Sequence, residues 1–195
     1  QNSGLGRRVI FSYSKICHDL EAKGTPGTWD HITKQIGTVL GSYAVCIPTG
    51  NRLTDTTNGF FMTMDKNVDV FAANIRKDAN LRGGFNCVGF SQGNSLCRGY
   101  IQKYNDPPVR AFLSICGINA GVAAFPQCSP SIPVLGKACL AFNEVLGDLA
   151  YNSLVQSILF QANYFRDPTK LKDASYLAHS QLACWNGETG ADMCA

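Results

Sequence analysis

The 195-residue sequence has no stretch approaching 18 consecutive apolar residues, and its first twenty residues lack the apolar run of a signal peptide. The first absence excludes a helical membrane span. The second leads us to expect a chain that is soluble as written, in a mature or trimmed form. No N-x-S/T sequon occurs, so glycosylation signals lend nothing to a secretory reading. Charge is sparse and nearly balanced: 17 basic and 14 acidic residues leave +3, and no basic run is longer than Arg7-Arg8. That pattern gives no footprint for nucleic acid, which we exclude as a partner. Internal repeats and low-complexity segments are also missing, which removes solenoids and disordered tails.

What is present is the composition of a compact domain, 45% hydrophobic and 16% charged, at a length that suits one core. We therefore expect 1–195 to form a single domain. Nine cysteines, at 17, 46, 87, 97, 116, 128, 139, 184 and 194, are many for a cytosolic enzyme, and no two are spaced CxxC as zinc sites require. No metal site and no cofactor are expected. Disulfides are the better expectation for the set. Cys87, Cys97 and Cys116, in or beside apolar segments, are expected as buried thiols. Cys128 and Cys139 flank Ser129-Pro130-Ser131-Ile132-Pro133, a loop that one bridge would close. An odd total leaves at least one thiol unpaired.

Short β-rich runs alternate with longer helix-period runs, which predicts an α/β fold with a parallel sheet. Strands are predicted at Val9-Ile10-Phe11-Ser12-Tyr13, at Tyr43-Ala44-Val45-Cys46-Ile47 before Pro48, at 85–89 and at 110–116. Helices are predicted at 29–40, stopping near Gly41, at 62–81 and at 94–104. In the second of these, Val68, Phe71, Ala72 and Ile75 fall at i, i+3, i+4 and i+7 and share one face. Residues 117–133 read as loop, 134–165 as a long apolar helical region, and 167–195 as loops with short helices.

One motif carries chemistry. Gly89-Phe90-Ser91-Gln92-Gly93 is a G-x-S-x-G pentapeptide between a predicted strand and a predicted helix, the setting of a nucleophile elbow. The elbow is a strained turn, and side chains two residues either side of the serine would collide with the neighbouring strand and helix. Ser91 is therefore the candidate nucleophile. The backbone N–H of Gln92, at the helix N-terminus, is the candidate oxyanion donor.

The stretch Gly84-Phe85-Asn86-Cys87-Val88-Gly89-Phe90-Ser91-Gln92-Gly93-Asn94 resembles that of palmitoyl-protein thioesterases. Asn58-Gly59-Phe60-Phe61, Pro107-Pro108, Phe125-Pro126-Gln127-Cys128 and Gln161-Ala162-Asn163-Tyr164-Phe165-Arg166-Asp167-Pro168 match further landmarks in order. The resemblance covers about 27–167 and implies an α/β-hydrolase-type fold, mostly parallel sheet with flanking helices. It also implies a helical lid over about 122–195, a divergent segment at 1–26, and missing C-terminal strands. The implied activity is removal of long-chain fatty acyl groups from cysteine thioesters, with S-acylated proteins, peptides or other fatty acyl thioesters as partners. The implied location is lysosomal or secreted. Three departures accompany the matches. Ser12-Tyr13-Ser14-Lys15 replaces a His-Gly turn of the oxyanion hole, leaving Ser14 as a backbone donor. Asn119, beside Ile118 in the expected substrate-binding loop, stands where relatives tend to have histidine. Ala72 and Tyr104 stand near expected cysteine positions, while Cys128 and Cys139 could preserve the next bridge.

A serine nucleophile needs a histidine base and a carboxylate, in the chain order Ser, acid, His. Only His179 follows Ser91, and the intervening acids include Glu144, Asp148, Asp167 and Asp173. By resemblance Asp167 and His179 belong to the lid, so acid and base are expected to lie outside this sequence, on a longer precursor or on a second chain completing the fold. Of the earlier histidines, His31 reads as a surface residue of the helix that begins at Trp29, and His18 beside Cys17 is only a weak metal signal, to which no site is assigned. The alternatives are a catalytically inactive hydrolase-fold subunit or acyl-binding module, and an esterase acting on oxygen esters.

Overall fold

The short β-rich runs become a parallel sheet of four strands, Arg8–Ser12 (β1), Tyr43–Cys46 (β2), Phe85–Phe90 (β3) and Val109–Ile115 (β4), in the order β2-β1-β3-β4. The computed structural model describes residues 8–12, 29–51, 54–123, 147 and 149–189. These fall into two compact units, one within Gln1–Phe60 and Met64–Asn119, the other within Phe61–Thr63 and Ala120–Ala195. The first unit has the α/β architecture of the hydrolase type, as expected.

Register fixes which side chains meet. Ile10 pairs with Val45 and Cys87, and Ser12 with Gly89. On one face, Val9, Phe11 and Val88 form a buried cluster covered by Ile36 of the helix Trp29–Leu40 (α1). A Cβ on Gly37 would stand 3.0 Å from that of Ala44, so α1 lies close over β2 because residue 37 is small. Gly41 then ends α1 with a φ of +58°.

On the opposite face lies the helix Gly93–Lys103 (α4), whose Cys97 is disulfide-bonded to Cys87 of β3. This corrects the expectation that both are buried thiols: each is fully buried, but as a cystine. Two cysteines that alternate onto a strand's helix-facing side and a helix's sheet-facing side can meet only through tertiary packing, which their ten-residue separation does not reveal. Cys116 is corrected too, since it is exposed and free. Cys46 and Cys184 are also disulfide-bonded. Cys128 and Cys139 lie outside the described residues.

The predicted apolar stripe buries Val68, Phe71, Ala72 and Ile75 on the helix Met64–Lys77 (α3). Phe71 packs edge-on against Tyr100 of α4 at 6.0 Å, and Phe85 of β3 touches the same ring at 5.8 Å. Tyr100 donates to the Pro107 carbonyl at 2.7 Å, which satisfies its hydroxyl in the core. At the surface, Lys103 of α4 bridges Asp65 at 3.0 Å and Asp69 at 2.7 Å on α3.

One helix was not predicted. Asp55–Phe61 (α2) is mostly polar and carries Gly59, so period gives no signal; its first residue is tied to the preceding loop, the buried Asp55 carboxylate accepting from the Thr49 N–H at 2.7 Å and hydroxyl at 3.0 Å.

The second unit is built of short helices: Ser153–Gln156 (α5), Phe160–Asn163 (α6), Ala174–His179 (α7) and Gln181–Trp185 (α8). In its described part, the helical region expected over 134–165 consists of short helices rather than one continuous one. Asn152 and Leu159 are extended, with ψ of 135° and 119°, and each restarts the chain as an N-cap. Apolar composition could not reveal these two breaks. The unit's core is Ala150, Tyr151, Ala162, Phe165, Tyr176 and Ala183. Buried Gln156 donates to the carbonyls of Ala150 and Ala162, at 2.6 and 2.7 Å. Among the described residues, no helix is long and apolar enough to cross a membrane.

Candidate active site

Ser91 occupies the turn between the end of β3 and the start of α4, and its φ is +49°. A serine gains nothing intrinsic from the left-handed region, so the surrounding structure imposes it. Three contacts do so. The Ser91 N–H donates to the Ile115 carbonyl of β4 at 2.9 Å, and the Asn94 N–H donates to the Ser91 carbonyl at 3.1 Å. The Asn94 carboxamide then donates to both carbonyls, at 2.8 Å to Ser91 and 3.1 Å to Ile115. Gly89 is needed because a Cβ there would lie 2.7 Å from the Asn94 Cα.

Gln92 follows in helical conformation, φ −58° and ψ −27°, as the N-cap of α4. Its side chain reaches away from the turn and donates to the Gly59 carbonyl of α2 at 2.8 Å, which pins that segment beside the elbow. The Ser91 hydroxyl makes no hydrogen bond among the described residues. Ser14 lies outside the described residues.

The loop after β4 is drawn tightly over the strand end. Cys116 shares the φ of +49° with Ser91. A Cβ on Gly117 would stand 2.2 Å from the Ser114 hydroxyl and 3.1 Å from the Asn94 carboxamide carbon. Asn119 donates to the Ser114 hydroxyl at 3.1 Å, and Arg98 of α4 donates to the Asn119 carbonyl at 2.6 Å. Ile118 and Asn119 are half-buried in this loop. The open hollow lined by Lys34, Gly41 and Tyr43 lies at the N-terminal end of the parallel strands, away from Ser91.

The residues from which a base and acid could be drawn after Ser91 lie in the second unit. The His179 Nδ1 faces the Tyr151 carbonyl at 3.0 Å, which requires its proton there. The Asp167 carboxylate accepts from the Thr169 N–H at 2.8 Å and hydroxyl at 2.6 Å. Those bonds hold its pKa below the usual carboxylate value. The two residues therefore do not form the carboxylate–imidazole pair that a triad needs. Asp173 sits at the N-cap of α7, and Glu144 and Asp148 lie outside the described residues. His31 lies on α1, and His18 is outside the described residues. No group of three or more metal-ligating side chains occurs among the described residues.

A strand, a strained serine and a helix in this geometry are shared by many hydrolases. The family model for palmitoyl protein thioesterases matches residues 15–193. The chain belongs to the palmitoyl-protein thioesterase family. It is 33% identical to palmitoyl-protein thioesterase 3 of Dictyostelium discoideum over 129 residues, which are 66% of this chain and 40% of that protein. It is 28% identical to palmitoyl-protein thioesterase 1 of Caenorhabditis elegans over 134 residues, 68% of this chain and 44% of that protein. The chain thus matches less than half the length of these thioesterases.

Sequence reasoning singled out Ser91 and Gln92 but passed over Asn94, Arg98 and the Ile115 carbonyl. A polar residue directly after the G-x-S-x-G motif, on the sheet-facing side of a helix, was the available signal for Asn94. The carbonyl had none, because it is set by strand register.

Proposed function

We propose that this chain carries the nucleophile of a fatty acyl thioesterase acting on S-acylated cysteines, with Ser91 as nucleophile. The observation that supports it most is the imposed positive φ of Ser91 at a strand-to-helix turn, within a chain of this family. In the reaction, the Ser91 oxygen attacks the thioester carbonyl, its proton passes to a base, and the C–S bond breaks to release the protonated thiol. Water then cleaves the acyl-serine ester. The Gln92 N–H, at the N-terminus of α4, stabilises the oxyanion in both steps, with the Ser14 N–H as a second donor. By the family resemblance the segment from about 122 to 195 serves as a lid, and Ile118 and Asn119 contact substrate.

Base and acid come from polypeptide beyond these residues, on the same chain or on a second one. In support, the Asp167 carboxylate and the His179 Nδ1 are engaged by Thr169 and Tyr151. We read the compartment as lysosomal or secreted, by the family resemblance; the cystine Cys87–Cys97 and the half-cystines Cys46 and Cys184 support it, since disulfides form along the oxidising secretory route and are rare in the cytosol.

The test is hydrolysis of a palmitoyl thioester by the full-length native protein. Ser91→Ala is expected to reduce kcat by about 10³-fold or more. Wild-type turnover that survives Ser91→Ala would overturn the assignment. The same engagement of Asp167 and His179 favours one second reading, a non-catalytic acyl-binding subunit; palmitate binding without turnover in the full-length protein would select it.

A further inference from the structure

Asn94 is buried completely in the first turn of α4, yet its carboxamide points out of the helix. One nitrogen serves two carbonyls, Ser91 at 2.8 Å and Ile115 at 3.1 Å, and the Ile115 carbonyl also receives the Ser91 N–H at 2.9 Å. The triangle closes between two left-handed residues, Ser91 and Cys116, each at φ +49°. Neither residue type adopts that conformation unaided. The amide oxygen, meanwhile, is buried without a hydrogen-bond partner. A buried, unsatisfied acceptor is destabilising, so the residue is not there for the helix; its useful end is the nitrogen.

Two glycines make room for it. A Cβ on Gly89 would lie 2.9 Å from the Asn94 Oδ1 and one on Gly117 3.1 Å from its Cγ. The side chain is therefore enclosed by the elbow on one side and the loop after β4 on the other.

We infer that Asn94 is a positioning residue for Ser91: its carboxamide fastens the nucleophile turn to the end of β4 and holds the backbone conformation from which Ser91 attacks. The inference rests on Ser91 being the nucleophile. Asn94→Asp keeps the shape but sets an oxygen against two carbonyl oxygens, and Asn94→Ala simply removes the fastening.

Both variants are compared with wild type, in the full-length native protein, by steady-state hydrolysis of a palmitoyl thioester and by amide hydrogen exchange. For either variant the expected result is a fall in kcat of about 10- to 100-fold with KM within about two-fold, as misplacement of a reacting group gives. Exchange at the Ser91 N–H should quicken while amides in the middle of α4 keep their protection. If Asn94→Asp fails to fold, Asn94→Ala decides. An unchanged kcat, or a rise in KM alone, overturns the inference while leaving Ser91 as nucleophile. Turnover that survives Ser91→Ala, or an inactive wild type, overturns the assignment of Ser91 and the inference together.

Discussion

A serine held at φ +49° carries a conformational cost of on the order of 1–2 kcal/mol that glycine would not. Replacement at position 91 should separate chemistry from strain. Ser91→Gly and Ser91→Ala should both abolish turnover, but Ser91→Gly should be the more stable by about 1 kcal/mol, measured as the difference in urea midpoint. Equal midpoints would show the turn to be unstrained. Gly89 tests the opposite side of the same contact. Its missing Cβ would come within 2.7 Å of the Asn94 Cα, a backbone atom that cannot swing away, so Gly89→Ala should cost roughly 2–3 kcal/mol, again read from urea unfolding. At this scale the sequence was most legible where a small residue is obligatory. The flanking glycines, Gly89 and Gly93, mark the turn in the sequence itself. The partner that makes Gly89 necessary was not legible, because Asn94 acts through distances set by the sheet.

Between elements, the strongest local tie is the cystine joining β3 to α4. It closes a ten-residue separation, and loop-closure entropy for so short a loop is worth roughly 2–3 kcal/mol. Cys87→Ala combined with Cys97→Ala should lower the urea-unfolding free energy by about that much, whereas Cys116→Ala, at an exposed free thiol, should change it by less than about 0.5 kcal/mol. Between α3 and α4 the tie is ionic. Burial alone would raise the pKa of Asp69, but hydrogen bonds from Lys103 and Tyr104 outweigh it and hold the group below its usual 3.8. In the second unit burial likewise opposes, and the bonds from Tyr176, Arg166 and Asn186 hold Glu188 below its usual 4.5. A depressed folded-state pKa gives stability that is present above the unfolded value and lost as pH falls through the folded one. Both ties should therefore persist from neutrality down to about pH 5 and weaken only in stronger acid, which a series of thermal melts across that range would record. Legibility at this scale followed periodicity. The α3 stripe carries a clear period, and the four strands lie in short β-rich runs bounded by turn signals. The polar α2 and the breaks in the 134–165 region carry no such signal, since a buried carboxylate ties the first to the loop before it and extended N-cap residues divide the second.

At the scale of the molecule, β4 is one of the two edge strands of the sheet among the described residues, and Leu113 and Ile115 are 57% and 39% exposed on it. Apolar side chains on an unpaired edge invite another strand. Residues 1–195 prepared alone should associate with rising concentration in sedimentation, and Leu113→Lys should suppress this without lowering stability. A monomer at all concentrations would show the edge to be self-sufficient. The same edge ends at Ile115, whose carbonyl receives the Ser91 N–H, and the next residue is the exposed thiol of Cys116. That adjacency gives the protein a built-in attachment point for a reporter. A small fluorophore or spin label on Cys116 would sit one residue from the carbonyl that receives the Ser91 N–H, so an optical or magnetic signal could report on that turn as candidate ligands are added, with no substitution needed at the turn itself.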